Sequence, residues 1–391
     1  MKRTYLQSKR IVIAQHEADE GGPGKVLLDY FNKKKNTVIY HLAHPNLYIK
    51  SGYKKSSRLT IYHNGKIQST TFAPHFQFPE WTLYLKDVFY TLLWFIRLPK
   101  VDLFIGLGNL NAFCGCILKK LGKVSVVIYY VIDYVPQRFS NNIINTIYHR
   151  IERIAALKSD WTWNLSTRII EAREEKWKEK FLHQLVVPHG LYFNEKRVRS
   201  FQSIHRHEII YMGYINEEQG LGLLFSSLPN ILNRMPGTTI SIIGTGNYEE
   251  QLKKEARRLK ISKYITFHGL IPDRNLMEER LSEGAIAVAL YKPSHGFSFY
   301  SDPGKIKHYL SVGLPIIMTG LPPIAQEVQR WKCGYVISYS RTEFIKAASA
   351  LLLNDSLYKK MRANSLRLAK KYDWEHILSK ALSYVEDYYG K

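Results

Sequence analysis

The sequence predicts an α/β fold with two domains, each containing a parallel sheet, and three observations support this. Short apolar strands alternate with amphipathic helices from residue 208 onward. The first half of the chain repeats the order of strand, loop and helix. The 391 residues are 45% apolar, which is enough for two cores. Strict alternation requires parallel strands with helices on both faces, and such sheets bind ligands beyond the carboxyl ends of their strands.

The second half contains three consecutive strand and helix units. Residues 208–214 predict a strand that enters a turn at Gly213, and 220–232 have helical apolar spacing. The strand over 239–246 ends in Gly244-Thr245-Gly246 and precedes a charged helix over 248–259. A strand and turn over 265–272, a short helix over 275–282 and an apolar strand over 285–290 complete the series.

Residues 301–317 predict a phosphate-binding loop, a helix and a buried strand in succession. Ser301 or Asp302 is expected to cap a helix with Pro303 in its first turn, which leaves free amides at the helix start. Gly304 permits close approach of a ligand, and Lys305 adds a full charge. The helix is expected to end at Gly313, before a strand over 314–318. An ordinary loop and helix corner with a solvated lysine is the alternative.

The first half predicts strands over 10–15, 37–42, 101–107 and 124–132, with helices over 26–31 and 112–121. Gly21 and Gly22 lie in the loop after the first strand. A polar, basic run over 194–207 marks the domain border.

Four motifs, in their order along the chain, resemble those of the GT-B glycosyltransferases, particularly the large retaining family numbered four. They are Gly244-Thr245-Gly246 with its following helix, Phe267-His268-Gly269-Leu270-Ile271-Pro272, Tyr309 to Ile317 and Tyr372-Asp373-Trp374-Glu375. The resemblance implies two Rossmann-like domains facing across a cleft. It implies an acceptor-binding domain (1–193), a linker (194–207), a nucleotide-sugar-binding domain (208–371) and a final helix (372–391) that returns to the first domain.

The resemblance also implies where the donor binds. Gly21 and Gly22 match a Gly-Gly loop that faces the donor diphosphate, and Thr245 lies in the matching Gly-x-Gly turn. Backbone groups of Leu270 and Ile271 are expected to recognise the nucleobase.

Departures from the family pattern concern its charged residues. Tyr214, after Gly213, and Gln219 stand where the family places an Arg and a Lys that neutralise the diphosphate. His295 and His308 stand where it places a pair of glutamates. Lys305 is expected to supply the missing charge. A lysine here resembles an inverting GT-B branch, which includes exopolysaccharide glucuronosyltransferases, so both stereochemical outcomes stay open with retention slightly favoured.

The catalytic candidates lie at strand ends of the first domain. Asp133 follows the strand over 124–132 and is suited to take a proton from the acceptor hydroxyl. His16 and Glu17, after the first strand, are alternatives. A structural cap near Pro136 is the competing interpretation of Asp133.

The net charge of the chain indicates what kind of partner it binds. Lysine and arginine exceed acids by 56 to 33, a net charge of +23, and basic residues mix with aromatic ones over 81–100. This pattern suits an anionic membrane surface, with 48–58 as a second candidate contact. Nucleic acid is an alternative partner, but no recognised binding motif accompanies the charge. Cys114, Cys116 and Cys333 are expected to be buried thiols, and no cofactor or metal is expected.

Together these features predict a cytoplasmic glycosyltransferase at the inner face of the cell membrane. Its expected donor is a nucleotide sugar, and its expected acceptor is a glycan or lipid-linked saccharide of the cell envelope. The sequence predicts neither a leader peptide nor a membrane-spanning run. The alternatives are a soluble transferase acting on a small molecule or protein, and a non-catalytic nucleotide-sugar-binding subunit.

Overall fold

The computed structural model describes residues 9–17, 22–34, 36–45, 56–74, 80–194, 197–294 and 296–389; the side chains of Glu17, Glu80 and Trp81 are also left undescribed. The chain forms two compact units. One unit ends at Pro188 and is joined by the chain from Ile377 onward, and the other comprises His189–His376.

The first unit contains an eight-stranded sheet in the order β4-β3-β2-β1-β5-β6-β7-β8. Its strands are β1 (Arg10–Glu17), β2 (Val38–Pro45), β3 (Arg58–His63), β4 (Lys66–Phe72), β5 (Val101–Leu107), β6 (Val124–Val131), β7 (Trp161–Asn164) and β8 (Gln184–Val186). Its helices are α1 (Pro23–Asn32), α2 (Glu80–Arg97), α3 (Asn109–Lys120), α4 (Asn142–Lys158) and α5 (Thr167–Trp177).

Six strands of this sheet, β1, β2 and β5 to β8, are parallel, whereas β3 and β4 form an antiparallel hairpin at one edge. The sequence analysis missed this hairpin. Asn64 and Gly65, which connect its strands, both adopt positive φ, at 50° and 76°. Such a two-residue turn matches the twist of an antiparallel pair, and Asn-Gly is its usual sequence.

The second unit contains a six-stranded parallel sheet in the order β11-β10-β9-β12-β13-β14. Its strands are β9 (Glu208–Met212), β10 (Thr239–Ile243), β11 (Ile265–Gly269), β12 (Ile286–Ala289), β13 (Ile316–Thr319) and β14 (Gly334–Ile337). Its helices are α6 (Leu221–Arg234), α7 (Glu249–Arg258), α8 (Arg274–Glu283), α9 (Phe297–Tyr300), α10 (Gly304–Ser311), α11 (Ile324–Arg330), α12 (Arg341–Leu353) and α13 (Asp355–Lys371).

A final helix, α14 (Trp374–Tyr389), begins in the second unit and contributes to the first from Ile377 onward. Within the first unit, Ser379 of α14 hydrogen-bonds Tyr30 over 3.1 Å. The hydroxyl of Tyr389 donates to Asp160 over 2.6 Å. The returning helix is therefore part of the first unit, as predicted.

The predicted strand and helix alternation is confirmed, because the central strands are continuous apolar runs. Strands β12 and β13 are buried at every position. Strand β6 is buried at seven of its eight positions, all but Ser125. Strands covered on both faces read as unbroken apolar segments, which is how they were located in the sequence.

Candidate functional site

Lys305 is the centre of the candidate site in the second unit. It lies in the first turn of α10, and its Nζ is 4.5 Å from the ring centre of Tyr211 and 5.0 Å from that of Tyr291. The ammonium also donates to the Gln219 side-chain oxygen and lies 3.4 Å from the Tyr211 hydroxyl. Burial lowers the pKa of Lys305 to about 7. A cation that is surrounded by aromatic rings and an amide, with no carboxylate of the described residues beside it, can bind an anion.

The backbone beside Lys305 is made of closely packed glycine turns at the carboxyl ends of β9 and β10. A Cβ on Gly213 would lie 3.4 Å from the Lys305 Nζ, so the turn and the ammonium are adjacent. Gly244 has a φ of +131°, and a Cβ there would lie 2.0 Å from the Gly213 carbonyl oxygen. Only glycine fits at residue 244, and its backbone packs directly against the Gly213 turn that borders the cation.

Two buried hydroxyls follow β12 and have no hydrogen-bond partner among the described residues. They belong to Tyr291, whose ring contacts the Lys305 ammonium, and Ser294. A buried hydroxyl without a partner is costly, and such groups often mark a ligand site. The sequence analysis did not identify either residue, although both lie just past an apolar strand.

Helix α10 is tied to β9 through Tyr309. The Tyr309 hydroxyl accepts from the Met212 amide over 2.7 Å. The helix ends as predicted: Gly313 has a φ of +79°, and the Gly313 and Leu314 amides donate to the Leu310 and Tyr309 carbonyls. This pair of backbone hydrogen bonds fixes the end of α10 and so helps to fix the position of Lys305 in the same helix.

The predicted cap of α10 is wrong. Pro303 itself is the N-cap, in an extended conformation, and the helix begins at Gly304. The Asp302 carboxylate accepts instead from the His189 amide over 2.6 Å and from the fully buried Lys307 ammonium. Lys307 is the fourth residue of the helix, and its ammonium and the His189 amide together hold the carboxylate away from the capping position.

Two other predicted residues near α10 have internal contacts. The Ser301 hydroxyl donates to the Ser298 carbonyl over 3.3 Å. His308 lies with Nδ1 3.0 Å from the buried carboxylate of Glu278 on α8. Burial, with Arg274 and Arg197 nearby, lowers the pKa of His308 to about 4. Among the described contacts, His308 is therefore joined to α8 and not to Lys305.

The remaining predicted donor residues lie in loops at the carboxyl ends of strands. The Thr245 carbonyl accepts from the Ile215 amide over 2.9 Å, and the Tyr211 hydroxyl donates to the Tyr214 carbonyl over 2.8 Å. Leu270 is exposed and Ile271 half-buried, directly after β11. Gly213, Tyr214 and Thr245 are thus linked in adjacent turns.

In the first unit, His16 at the end of β1 contacts a buried carboxylate. Its Nε2 is 3.3 Å from Asp87 Oδ2, and its Nδ1 is 3.3 Å from the Asn111 amide nitrogen. Since Asn111 offers a donor and Asp87 an acceptor, the contacts favour the tautomer with the proton on Nε2. In this tautomer the Nδ1 lone pair accepts a hydrogen bond from the Asn111 amide.

The carboxylate of Asp87 is shared by several groups. His44 Nδ1 lies 3.2 Å from it, and the Ser57 hydroxyl donates to it over 2.8 Å. Burial alone would raise the pKa of Asp87, but His44 and His16 hold it well below its ordinary value. The sequence analysis missed Asp87 because it lies in the middle of α2, far along the chain from His16.

The other first-unit candidates have different positions. Asp133 lies after the carboxyl end of β6 and pairs with Arg138. Gly22 precedes α1 with a φ of 96°, and a Cβ there would meet nothing within 4 Å. Gly21, His295, the side chain of Glu17 and most of the 48–58 contact are outside the described residues.

Comparisons with known proteins were made for the sequence and for the fold. Residues 206–354 match the family model described as glycosyl transferases group 1. A glycogen synthase from Mycobacterium tuberculosis is 25% identical over 173 residues, covering 44% of this chain and 40% of that protein. A phosphatidyl-myo-inositol mannosyltransferase from the same species is 21% identical, covering 46% and 47%. The chain therefore spans less than half the length of these relatives.

The solved structures cover both units. HepE from Anabaena in complex with UDP has a TM-score of 0.68 at 12% identity, covering 97% of this chain and all of that one. Sucrose-phosphate synthase from Thermosynechococcus elongatus has a TM-score of 0.69 at 14% identity, with coverages of 98% and 100%. The predicted GT-B fold is confirmed by these neighbours. Over residues 206–354, the resemblance to glycosyltransferases is confirmed by the family match.

The helices and the titratable side chains of the described residues bear on membranes and metals. None of the helices there is long and apolar enough to cross a membrane. In the same part of the chain, no group of three or more His, Cys, Asp or Glu side chains is placed to hold a metal ion.

Proposed function

We propose that the protein is a glycosyltransferase that moves a sugar from a nucleotide donor to a glycan or lipid-linked acceptor of the cell envelope. The observation that carries this proposal is the Lys305 site, a cation at the carboxyl end of a parallel sheet within the segment matching glycosyl transferases group 1. The decisive measurement is binding of UDP, GDP, ADP, TDP and CDP by calorimetry. Binding of none would refute the donor site.

The donor diphosphate binds at Lys305. The α10 amides add the positive end of the helix dipole, and Gly213, Thr245 and the Tyr291 hydroxyl provide a polar edge. Gln219 stands where related enzymes carry a lysine, and in this chain it accepts from Lys305. Lys305 thus replaces the absent charges. This argues against the non-catalytic alternative, which the loss of those charges would otherwise favour.

Leu270 and Ile271 contact the nucleobase, and Tyr214 lies beside the sugar or phosphate. The solved neighbours include HepE with UDP-glucose and a pneumococcal O-GlcNAc transferase with UDP and GlcNAc. The nucleotides bound in these structures favour a uridine donor. A larger thermal shift with UDP than with GDP or ADP is the expected result.

The reaction proceeds with retention, which the family match favours. The bond from the anomeric carbon to the donor phosphate breaks, the bond to the acceptor oxygen forms on the same face, and the acceptor proton moves to the leaving phosphate oxygen. His16, held by Asp87, orients the acceptor hydroxyl, whose hydrogen bond to Nδ1 takes the place of the one from Asn111. NMR of the first-formed product, with an α-linked donor, decides between an α and a β linkage.

The acceptor belongs to the cell envelope, and the enzyme works at the cytoplasmic face of the membrane. Relatives named for phosphatidyl-inositol mannosyl transfer and for lipopolysaccharide biosynthesis support this, as does the charge of +23. The domain roles follow the predicted division, with acceptor binding in 1–193 and donor binding in 208–371. Transfer of radiolabelled sugar from its nucleotide into lipid extracts of membranes tests the acceptor class, and labelling confined to water-soluble products would favour the soluble alternative.

A further inference from the structure

Helix α4 buries three polar side chains and exposes several of its isoleucines. Asn145, His149 and Glu152 are buried. Asn145 donates to the Pro136 carbonyl over 3.1 Å, and Glu152 pairs with the buried Arg173 over 3.2 Å. A solvated helix of a globular protein has the reverse arrangement.

The outer face of α4 is an exposed apolar stripe. Ile143, Ile147 and Ile154 are 73%, 52% and 42% exposed and recur at helical spacing. Over the 17 residues of α4, the stripe runs along a helix about 25 Å long. Exposed apolar stripes of this length mark contact surfaces.

Helix α2 adds a second exposed stripe on the same layer of the first unit. Helix α3 packs against both α2 and α4. On α2, Leu85, Phe89 and Ile96 are exposed. We call these six residues of α2 and α4 the apolar face.

The charge of this layer has one sign. Among the described side chains of α2, α3 and α4, the only acids are Asp87 and Glu152, and both are buried. The exposed charged residues are Arg97, Lys120, Arg150 and Lys158. An outward surface of isoleucine, leucine and phenylalanine bordered by cations complements a bilayer with anionic headgroups. A second copy of this chain packed on the same surface would bring like positive charges together, which disfavours a dimer there.

We propose that the apolar face is the surface by which this protein lies on an anionic lipid bilayer, with α4 parallel to the membrane plane. The inference rests on the proposed function, because it names the surface that keeps the enzyme at its membrane-bound acceptor. The isoleucines enter the acyl boundary, and Arg150 and Lys158 meet lipid phosphates.

The test uses the full chain and sedimentation with vesicles of phosphatidylcholine, with or without phosphatidylglycerol. We expect binding to the mixed vesicles that weakens with salt, and a loss of about tenfold or more in the variant Ile147→Asp/Ile154→Asp. Ile67→Asp, at a residue of β4 that is 61% exposed, is the matched control and should bind like the parent. Equal binding by the double variant, or an equal loss in the control, overturns the proposal.

A second readout separates a lost surface from a lost fold. A polarity-sensitive dye on Ile147→Cys should shift to the blue with mixed vesicles, whereas the same dye on Ile67→Cys should not; an unshifted dye at residue 147 contradicts insertion. Sedimentation velocity without lipid tests whether the apolar face instead binds a second copy of this chain. A dimer that forms in the parent and is lost in the double variant would overturn the assignment to lipid. UDP titration of each variant reports the proposed donor site separately.

Discussion

The ammonium of Lys305 lies over the ring of Tyr211, 4.5 Å from its centre. Among the described residues its hydrogen-bond partners are Gln219 and the Tyr211 hydroxyl, and no carboxylate pairs with it. A half-buried lysine without a counter-ion opposes folding, and loss of solvent around the ammonium accordingly lowers its pKa to about 7. The presence of such a destabilising lysine is explained if an anionic ligand supplies its counter-charge when it binds.

Replacing Lys305 by methionine should stabilise the protein and weaken donor binding together. The folded-state pKa of Lys305, about 7, lies below its ordinary value of 10.5. The free-energy cost of holding the charged lysine in the folded protein is therefore absent above pH 10.5. It grows as the pH falls and is complete below pH 7. At pH 7 we expect a gain of about 1 to 3 kcal/mol in the free energy of unfolding. We also expect UDP affinity to fall by about 1.5 to 3 kcal/mol.

Thermal unfolding and calorimetry measure the two effects of Lys305→Met. Unchanged UDP affinity would remove Lys305 from the donor site. A lower melting temperature would show that the ammonium has a structural partner.

UDP binding should depend on pH near neutrality. Only the charged form of Lys305 neutralises a phosphate, and bound diphosphate raises the pKa of Lys305 above its free value of about 7. Affinity is therefore full below the free pKa and declines as the pH rises from 7, by up to about tenfold per unit, until the bound pKa is reached. Titrations from pH 7 to 9.5 check this. Lys305→Arg keeps its charge throughout, so an equally steep decline in that variant would assign the effect to another group.

The pair of Asp302 and Lys307 should matter for stability alone. Lys307 is fully buried, and Asp302 also holds the His189 amide. Asp302→Asn leaves a buried cation uncompensated, and we expect a loss of about 3 kcal/mol in the free energy of unfolding. Lys307→Met together with Asp302→Asn should recover part of it. UDP affinity of the folded variant should stay within about twofold of the parent, and a larger change would restore Asp302 to the donor site.

Much of the fold was predictable because apolar runs and glycine turns are local signals. Strands β9 to β13 and the glycine end of α10 at Gly313 were located from such signals. The cap at Asp302 was mispredicted because its competitor, the His189 amide, lies 113 positions away in sequence. Local propensity cannot weigh a partner that folding brings in from elsewhere.

The candidate site was predictable only in part for the same reason. Lys305 and the Gly213 turn carry sequence signals, whereas Asp87 is 71 positions from His16 and resembles an ordinary charge on an amphipathic helix. Tyr291 resembles the end of a buried strand. Their significance comes from the groups opposite them, which only the fold identifies.

Asp133 remains a candidate for the chemical step. It follows β6 and pairs with Arg138 on the same loop. If Asp133 takes the acceptor proton, as the inverting alternative requires, Asp133→Asn should leave UDP binding unchanged and lower kcat, since the amide cannot accept a proton. In the proposed retaining route kcat should stay close to that of the parent. Initial rates with saturating donor measure this. If Arg138→Gln gives the same loss while Asp133→Glu does not restore activity, the pair shapes the loop instead.

The pair of His16 and Asp87 should act on the acceptor and not on the donor. Asp87 fixes the imidazole with Nε2 protonated, so Nδ1 is the acceptor. His16→Gln should raise the acceptor KM and lower kcat/KM by roughly tenfold, the value of one lost hydrogen bond of about 1.4 kcal/mol, while UDP affinity is unchanged. A loss of a thousandfold or more in kcat would instead identify His16 as a general base and favour inversion, because retention needs no enzymic base.

Asp87→Asn extends this test. If Asp87 works through His16, the double variant should lose no more activity than His16→Gln alone, after correction for stability. Because Asp87 is buried and shared with His44 and Ser57, its variant should also unfold at a lower temperature, so both activities are measured well below that transition. Additive losses in the double variant would separate Asp87 from His16 and leave it as part of the core of the first unit.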